Sequence, residues 1–215
     1  MAEQNQNCTW VGIGTDVSGE SEIYRKIIET NDLLVTKYGA KKDFAGSEHP
    51  HLNLYDLSVP NENVELIAKK IKQISEEQRS FEAKVKGINY FHFGMIFLEV
   101  EKSDTLAKLH ENIVEEVVKL KGDCIDENYL APHRQYSKRQ KELLMQYGNP
   151  HVLDQFQPHI TIGHIRNQEN KLSEISKELN KLISVTEFKI DVVHIVESNG
   201  KDNKTLGRFD LIREG

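Results

Sequence analysis

Two short strands with the same alternation of side chains sit at the same place in two copies of one element pattern. This duplication constrains the fold more than any other feature of the chain. The strands read His51-Leu52-Asn53-Leu54-Tyr55 and His159-Ile160-Thr161-Ile162-Gly163. Hydrophobic periodicity around each predicts strand, helix, strand, helix, strand. The predicted helices are Glu20–Tyr38 closed by Gly39, about Glu62–Gln78 capped by Asn61, Asp104–Leu120 capped by Ser103, and Lys171–Ile183. Strands are expected at Cys8–Thr15, Leu52–Leu57, Phe81–Val85, Phe91–Val100, Gln157–Ile165, Val185–Glu197 and Lys204–Ile212. The spacing repeats as well. His51 to Val64 and His159 to Leu172 both span 13 residues, while His51 to Phe81 and His159 to Phe188 span 30 and 29. A repeat over about 8–90 and 91–197, with an insertion at 123–156, predicts one compact unit. It has two α+β lobes about a pseudo-twofold axis, and a cleft between them facing both histidine strands.

Composition narrows the partners. Lys and Arg number 28 and Asp and Glu 34, a net charge of −6. A chain that grips long nucleic acid through its backbone carries a basic excess, so no long duplex partner is expected. A small nucleotide or a strand end in a locally basic cleft fits better. No apolar run approaches ~18 residues, so no membrane span is expected. The first residues lack a basic and an apolar region of the secretory kind. Two cysteines, Cys8 and Cys124, are too few for a disulfide scaffold. A reducing compartment, and hence the cytoplasm, is the expected setting.

Side chains alternate faces along a strand. Leu52 and Leu54 then point to the core, and His51, Asn53 and Tyr55 point away. Ile160 and Ile162 likewise oppose His159 and Thr161. Two such strands meeting at a cleft surround one point with two imidazoles and two small donors, a suitable cage for a phosphodiester. One neutral imidazole takes a proton from water or a hydroxyl, and the other, protonated, gives one to the leaving oxygen. Asn53 and Thr161 hold the non-bridging oxygens. No metal or cofactor is required.

These two motifs resemble those of the 2H phosphoesterase superfamily, whose signature is histidine, apolar, threonine or serine, apolar, occurring twice. The segment HITI at His159–Ile162, with Pro158 before it and Gly163 after, matches in full. HLNL at His51–Leu54 departs at Asn53. The resemblance implies two pseudo-symmetric βαβαβ-type lobes with mostly antiparallel sheets facing a central cleft. It also implies metal-free hydrolysis of a 2′,3′-cyclic or 2′,5′-linked phosphodiester, with His51 and His159 as the catalytic pair. Asn53 keeps open a second reading, a module of this fold that binds nucleotides without turnover. A metal-dependent phosphohydrolase is the third.

Other features weigh less. Within the insertion, Arg134 offers a bidentate phosphate contact and Tyr136 a stacking surface. Tyr55 shares the predicted polar face with His51 and offers the same. Trp10, alone in the first strand, reads as core. Gly12-Ile13-Gly14 lacks the third glycine of a dinucleotide fingerprint, because Val17 stands there. His110-Glu111 lacks the second histidine of a helical zinc site. His92, His151, His164 and His194 read as structural.

Overall fold

In a computed structural model of the chain, the described residues are 7–17, 19–41, 49–132, 134–166, 169–198 and 203–213. They form β1 (Cys8–Asp16), α1 (Glu22–Tyr38), β2 (His51–Pro60), α2 (Val64–Glu77), β3 (Phe81–Tyr90), β4 (Met95–Val100) and α3 (Asp104–Val117). There follow α4 (Glu127–Leu130), α5 (Lys138–Tyr147), β5 (His159–His164), α6 (Leu172–Leu179), β6 (Glu187–Ile190), β7 (Val192–Ser198) and β8 (Asn203–Asp210). The sequence also predicts a turn at Ser198–Asn203, punctuation at Gly46–Pro50 and a basic stretch at His133–Arg139, and most of the turn, Gly46 and His133 lie outside the described residues.

Local signals act as the sequence leads one to expect at several ends. Gly39 ends α1 in the left-handed region at φ 67°, while the helix starts two residues later than expected, where the Ser21 hydroxyl accepts the Tyr24 N–H. Ser103 accepts the Leu106 N–H at the start of α3. The expected Asn61 cap does not form. A 3₁₀ turn at Asn61–Asn63 precedes α2, and Asn63 spends its amide on the Leu120 carbonyl instead, at 2.8 Å. The strand expected from Phe91 begins only at Met95, because the chain turns back at Gly94, whose φ is 95°.

All eight strands join one antiparallel sheet in the order β6-β3-β4-β5-β2-β1-β7-β8. The two histidine strands, β2 and β5, are its centre and meet with Leu52 opposite Ile160. The first strand of each repeat lies outside them, β1 beside β2 and β4 beside β5. The third strands are exchanged. β3, from the first repeat, pairs with β4 of the second, and β7, from the second, pairs with β1 of the first. The two halves of the sheet are therefore not the two halves of the chain.

Val185–Glu197, expected as one strand, breaks at Asp191 into β6 and β7. In a flat sheet these strands would lie six spacings, about 29 Å, apart. One intervening residue keeps Ile190 and Val192 within about 7 Å. The sheet must therefore curl until its two ends approach. Hydrogen bonds between the ends agree. Ser80 donates to the Ile212 carbonyl, and Ile212 donates to that of Gln78.

The helices cover the apolar face. Ile23, Ile27 and Leu34 of α1, Ile67 and Ile71 of α2, Leu109 and Ile113 of α3 and Ile175 and Leu179 of α6 are all buried with Leu52, Leu54, Ile160 and Ile162. Removing that surface from water is the main stabilising contribution. Interhelical ion pairs, Lys37–Glu178 between α1 and α6 and Lys70–Glu116 between α2 and α3, mix the repeats again.

Cys8 and Cys124 are joined in a disulfide with Cα atoms 6.1 Å apart. The number of cysteines alone did not point to this pair. One bond is no scaffold, but it closes a loop of 116 residues and ties β1 to the start of the insertion. Reduction is expected to lower the unfolding free energy by about 2–4 kcal/mol through the freed entropy of the unfolded chain. Urea unfolding with and without a reductant measures it.

Candidate active site

The register at Leu52–Ile160 sets His51 beside Thr161, and Asn53 beside His159, on one face of the sheet. Each histidine follows a proline, and each ring is tied to the carbonyl before that proline. Nδ1 of His51 donates to the His49 oxygen at 2.9 Å, and Nδ1 of His159 to that of Gln157 at 2.7 Å. A carbonyl only accepts, so Nδ1 carries the proton, and Nε2 is the nitrogen left to exchange one. The two rings stand in equivalent settings on equivalent strands.

Their surroundings differ. His51 is exposed. His159 is half-buried, with the rings of Phe91 and Phe97 at 5.6 and 5.1 Å. Burial pushes the His159 imidazole below its ordinary range. Its bond to Gln157 partly offsets this, and the nearby His51 adds to it. The rings are thus near enough for the charge on one to act on the other.

A cavity of about 470 Å³ opens from His159 and Asn53 into the space between β2, the β3–β4 turn and the insertion. Phe91 and the exposed Phe93 stack in parallel on one wall, with centroids 5.4 Å apart. Arg134, Tyr129 and His151 stand on the other. Desolvation, then the charges of Arg134 and His159, lower the His151 imidazole. Arg134 thus lines the cavity. Tyr136 does not line it; its ring lies against His151 at 6.3 Å. Thr161 is not among the residues that line the cavity, and its hydroxyl donates to the Met95 sulfur.

Tyr55 departs from the expectation. Strict alternation puts it beside His51, but it is 1% exposed and donates its hydroxyl to the Tyr147 carbonyl at 2.5 Å. The cause is a β-bulge. Along β1, Ile13 pairs with Tyr55 while the next residue, Gly14, pairs with Asn53, so Leu54 is the extra residue. One added residue reverses the facing of everything after it. Tyr55 goes to the core and has no face to offer a base.

Asp56 takes the place predicted for Tyr55. It is a buried carboxylate at the floor of the site that the sequence reading missed. Oδ1 accepts from Asn53 at 2.6 Å and Asn149 at 3.1 Å, and Oδ2 from the Tyr129 hydroxyl at 2.8 Å. The Trp10 indole also donates to it. Burial pushes this carboxyl above its usual range, and the donors pull against that. Trp10 thus belongs to the site floor. Its ring lies over Gly12, where a Cβ would come within 2.4 Å of it. The glycine of the failed dinucleotide pattern makes room for an indole. Asn53 keeps one amide hydrogen for a ligand, with the other committed to Asp56.

The bulge is held from behind by His110 of α3. Its Nδ1 donates to the Leu54 carbonyl at 2.6 Å, and its Nε2 accepts the Leu153 N–H at 2.8 Å. The ring stacks on Phe156 with centroids 3.9 Å apart. It is a neutral structural imidazole, pushed by burial down to about 4. Among the described residues no group of three or more His, Cys, Asp or Glu side chains is arranged to hold a metal ion. No helix among them is long and apolar enough to cross a membrane.

A family model, the 2′-5′ RNA ligase superfamily, matches residues 36–202. The chain belongs to this family of 2H phosphoesterases. The fold agrees with solved structures at low identity. A crystal structure described as a phosphoesterase is 13% identical over 95% of this chain and 98% of its own, at a TM-score of 0.57. LigT of E. coli in its apo form is 12% identical over 95% and 98%, at 0.56. LigT complexed with 3′-AMP is 13% identical over the same shares, at 0.55. No curated protein matches by sequence.

His110 gives a prediction with a definite sign. The folded state holds its imidazole near 4, and the unfolded chain near 6.5. Between these values the unfolded state binds more protons, so stability rises with pH. The contribution is fully present above pH 6.5 and fades as pH falls toward 4, by about 3 kcal/mol in total. Urea unfolding of wild type and His110→Gln at pH 7, 5.5 and 4.5 checks it. The variant is expected to be less stable at pH 7, with the gap narrowing in acid.

Proposed function

We propose that the protein is a metal-independent phosphodiesterase that hydrolyses a 2′,3′-cyclic phosphate or a 2′,5′-linked nucleotide or RNA end. The observation that carries this reading is the matched pair of imidazoles. Both have Nδ1 tied to a carbonyl and Nε2 free, and they share one face at the joining of β2 and β5.

His159 takes the base's part, because its surroundings keep the imidazole neutral and so able to accept a proton. Its Nε2 takes a proton from water as the water oxygen bonds to phosphorus. His51, protonated, gives its proton to the ribose oxygen as the phosphorus–oxygen bond breaks. Asn53 and Thr161 donate to the non-bridging oxygens. For a cyclic phosphate the product is a phosphomonoester on the same ribose. The nucleoside occupies the cavity, with its base on Phe91 and Phe93 and Arg134 serving its phosphate or sugar side. Tyr136 acts only through His151. LigT, which shares the fold, is described in complexes with 3′-AMP and NADP+, and this supports a small nucleotide as ligand. The bond from Asn53 to Asp56 favours the second reading, a nucleotide-binding module without turnover. The cytoplasmic setting belongs to this proposal, in which Cys8 and Cys124 would be held as thiols in the cell. Thiol trapping in cells tests this.

His51→Ala and His159→Ala are each expected to lower kcat/KM on a 2′,3′-cyclic nucleotide by about 10²–10⁴. Wild-type activity should persist in EDTA. It should also show a bell-shaped pH profile. Binding retained without turnover in all three proteins establishes the module instead.

A further inference from the structure

Behind His51 lies a second charged group that the mechanism above does not use. Asp16, at the end of β1, is the register partner of His51. One of its oxygens lies 3.1 Å from Nδ1 of His194, and the other is paired with Arg208. The three come from β1, β7 and β8, and His194 and Arg208 are themselves register partners. The His194 ring stands edge-on to that of His51, with centroids 6.2 Å apart. It reaches this place because Gly14 has no side chain. A Cβ there would come within 3.1 Å of the His194 Nε2 and 2.8 Å of the Leu52 carbonyl.

We infer that Asp16 is a positioning residue for His51. Its carboxylate, clamped by His194 and Arg208, favours the protonated form of that ring and assigns it the acid's part. The inference rests on the phosphodiesterase reading for its consequence, and on geometry for its substance. Asp16 is 15% exposed, so its charge is poorly screened toward its neighbour. Burial raises its carboxyl, but His194 and Arg208 more than reverse this and hold it ionised. Among the described residues the charged and titratable groups around His51 are Asp16, its register partner on β1, His194 on β7 in ring contact with it, and His159 on β5, while Arg208 on β8 acts through Asp16. The approach to its own strand adds His49. Across the cleft, Phe91 and Phe97 crowd His159 instead. The two otherwise equivalent rings differ in surroundings, one opposite a carboxylate in register and one beside aromatic carbon.

Two variants of one ion pair test this. Asp16→Asn removes the anion and leaves Arg208 uncompensated, so His51 should lose its proton about 0.5 pH or more lower than in wild type. Arg208→Gln, at a side chain 54% exposed, leaves the anion less neutralised and should move it upward. The titration is read by NMR of the His51 ring, assigned through His51→Ala. The alkaline limb of kcat/KM on a 2′,3′-cyclic nucleotide should move with it. Opposite displacements support the inference, because a merely structural role gives no such reversal. No displacement, or two in one direction, overturns it. A wild type without turnover ends the phosphodiesterase reading, while the NMR titration still decides the role of Asp16.

Discussion

The central contact of the sheet, Leu52 against Ile160, holds two strands so that their polar faces coincide, and everything proposed for the molecule depends on that register. A slip of one residue would turn both histidines toward the helices and both leucine faces toward water. The slip is opposed on several sides. Leu52, Leu54, Ile160 and Ile162 are buried under four helices. Asn31 of α1 donates to the Ile162 carbonyl at 2.6 Å, and His110 of α3 to that of Leu54. Burial on one face and hydrogen bonds through the backbone give the exposed face its geometry. The prolines finish the work by placing a carbonyl two residues behind each ring, where it fixes the tautomer.

Much of this was open to inspection in the chain itself. The repeated offsets of His51 and His159 point to two equivalent strands, and amphipathic stripes place α1, α3 and α6 to within a few residues. Ser103 at the start of α3 and Gly39 at the end of α1 act through local chemistry, which a linear sequence states directly. What was not open is what depends on partners distant in the chain. The bulge at Leu54 is a property of the pairing with Gly14 and of the His110 bond behind it, so Tyr55 could not be told from a surface residue by alternation. Asp56 looks like an ordinary strand aspartate until Trp10, Tyr129 and Asn149 converge on it. The two glycines of β1 read as a broken cofactor motif until two rings, from Trp10 and His194, are seen lying on them.

The acid and base of a symmetric pair must be told apart by something outside the symmetry. Here the asymmetry lies one layer out. Aromatic carbon and burial surround His159, while strands β1, β7 and β8 bring a carboxylate and its two partners up to His51. The insertion adds the other departure from symmetry, since it builds one wall of the cavity on the His159 side only. Two matched strands thus supply two like groups, and on the proposed reading their unlike surroundings give them unlike work.

The exchange of third strands ties the two ends of the chain together. Strand β3 pairs with β4 and β6, and β1 takes β7 on its outer side. A cut between β3 and β4 would strip β3 of both neighbours and β1 of one, so neither piece could close the sheet alone.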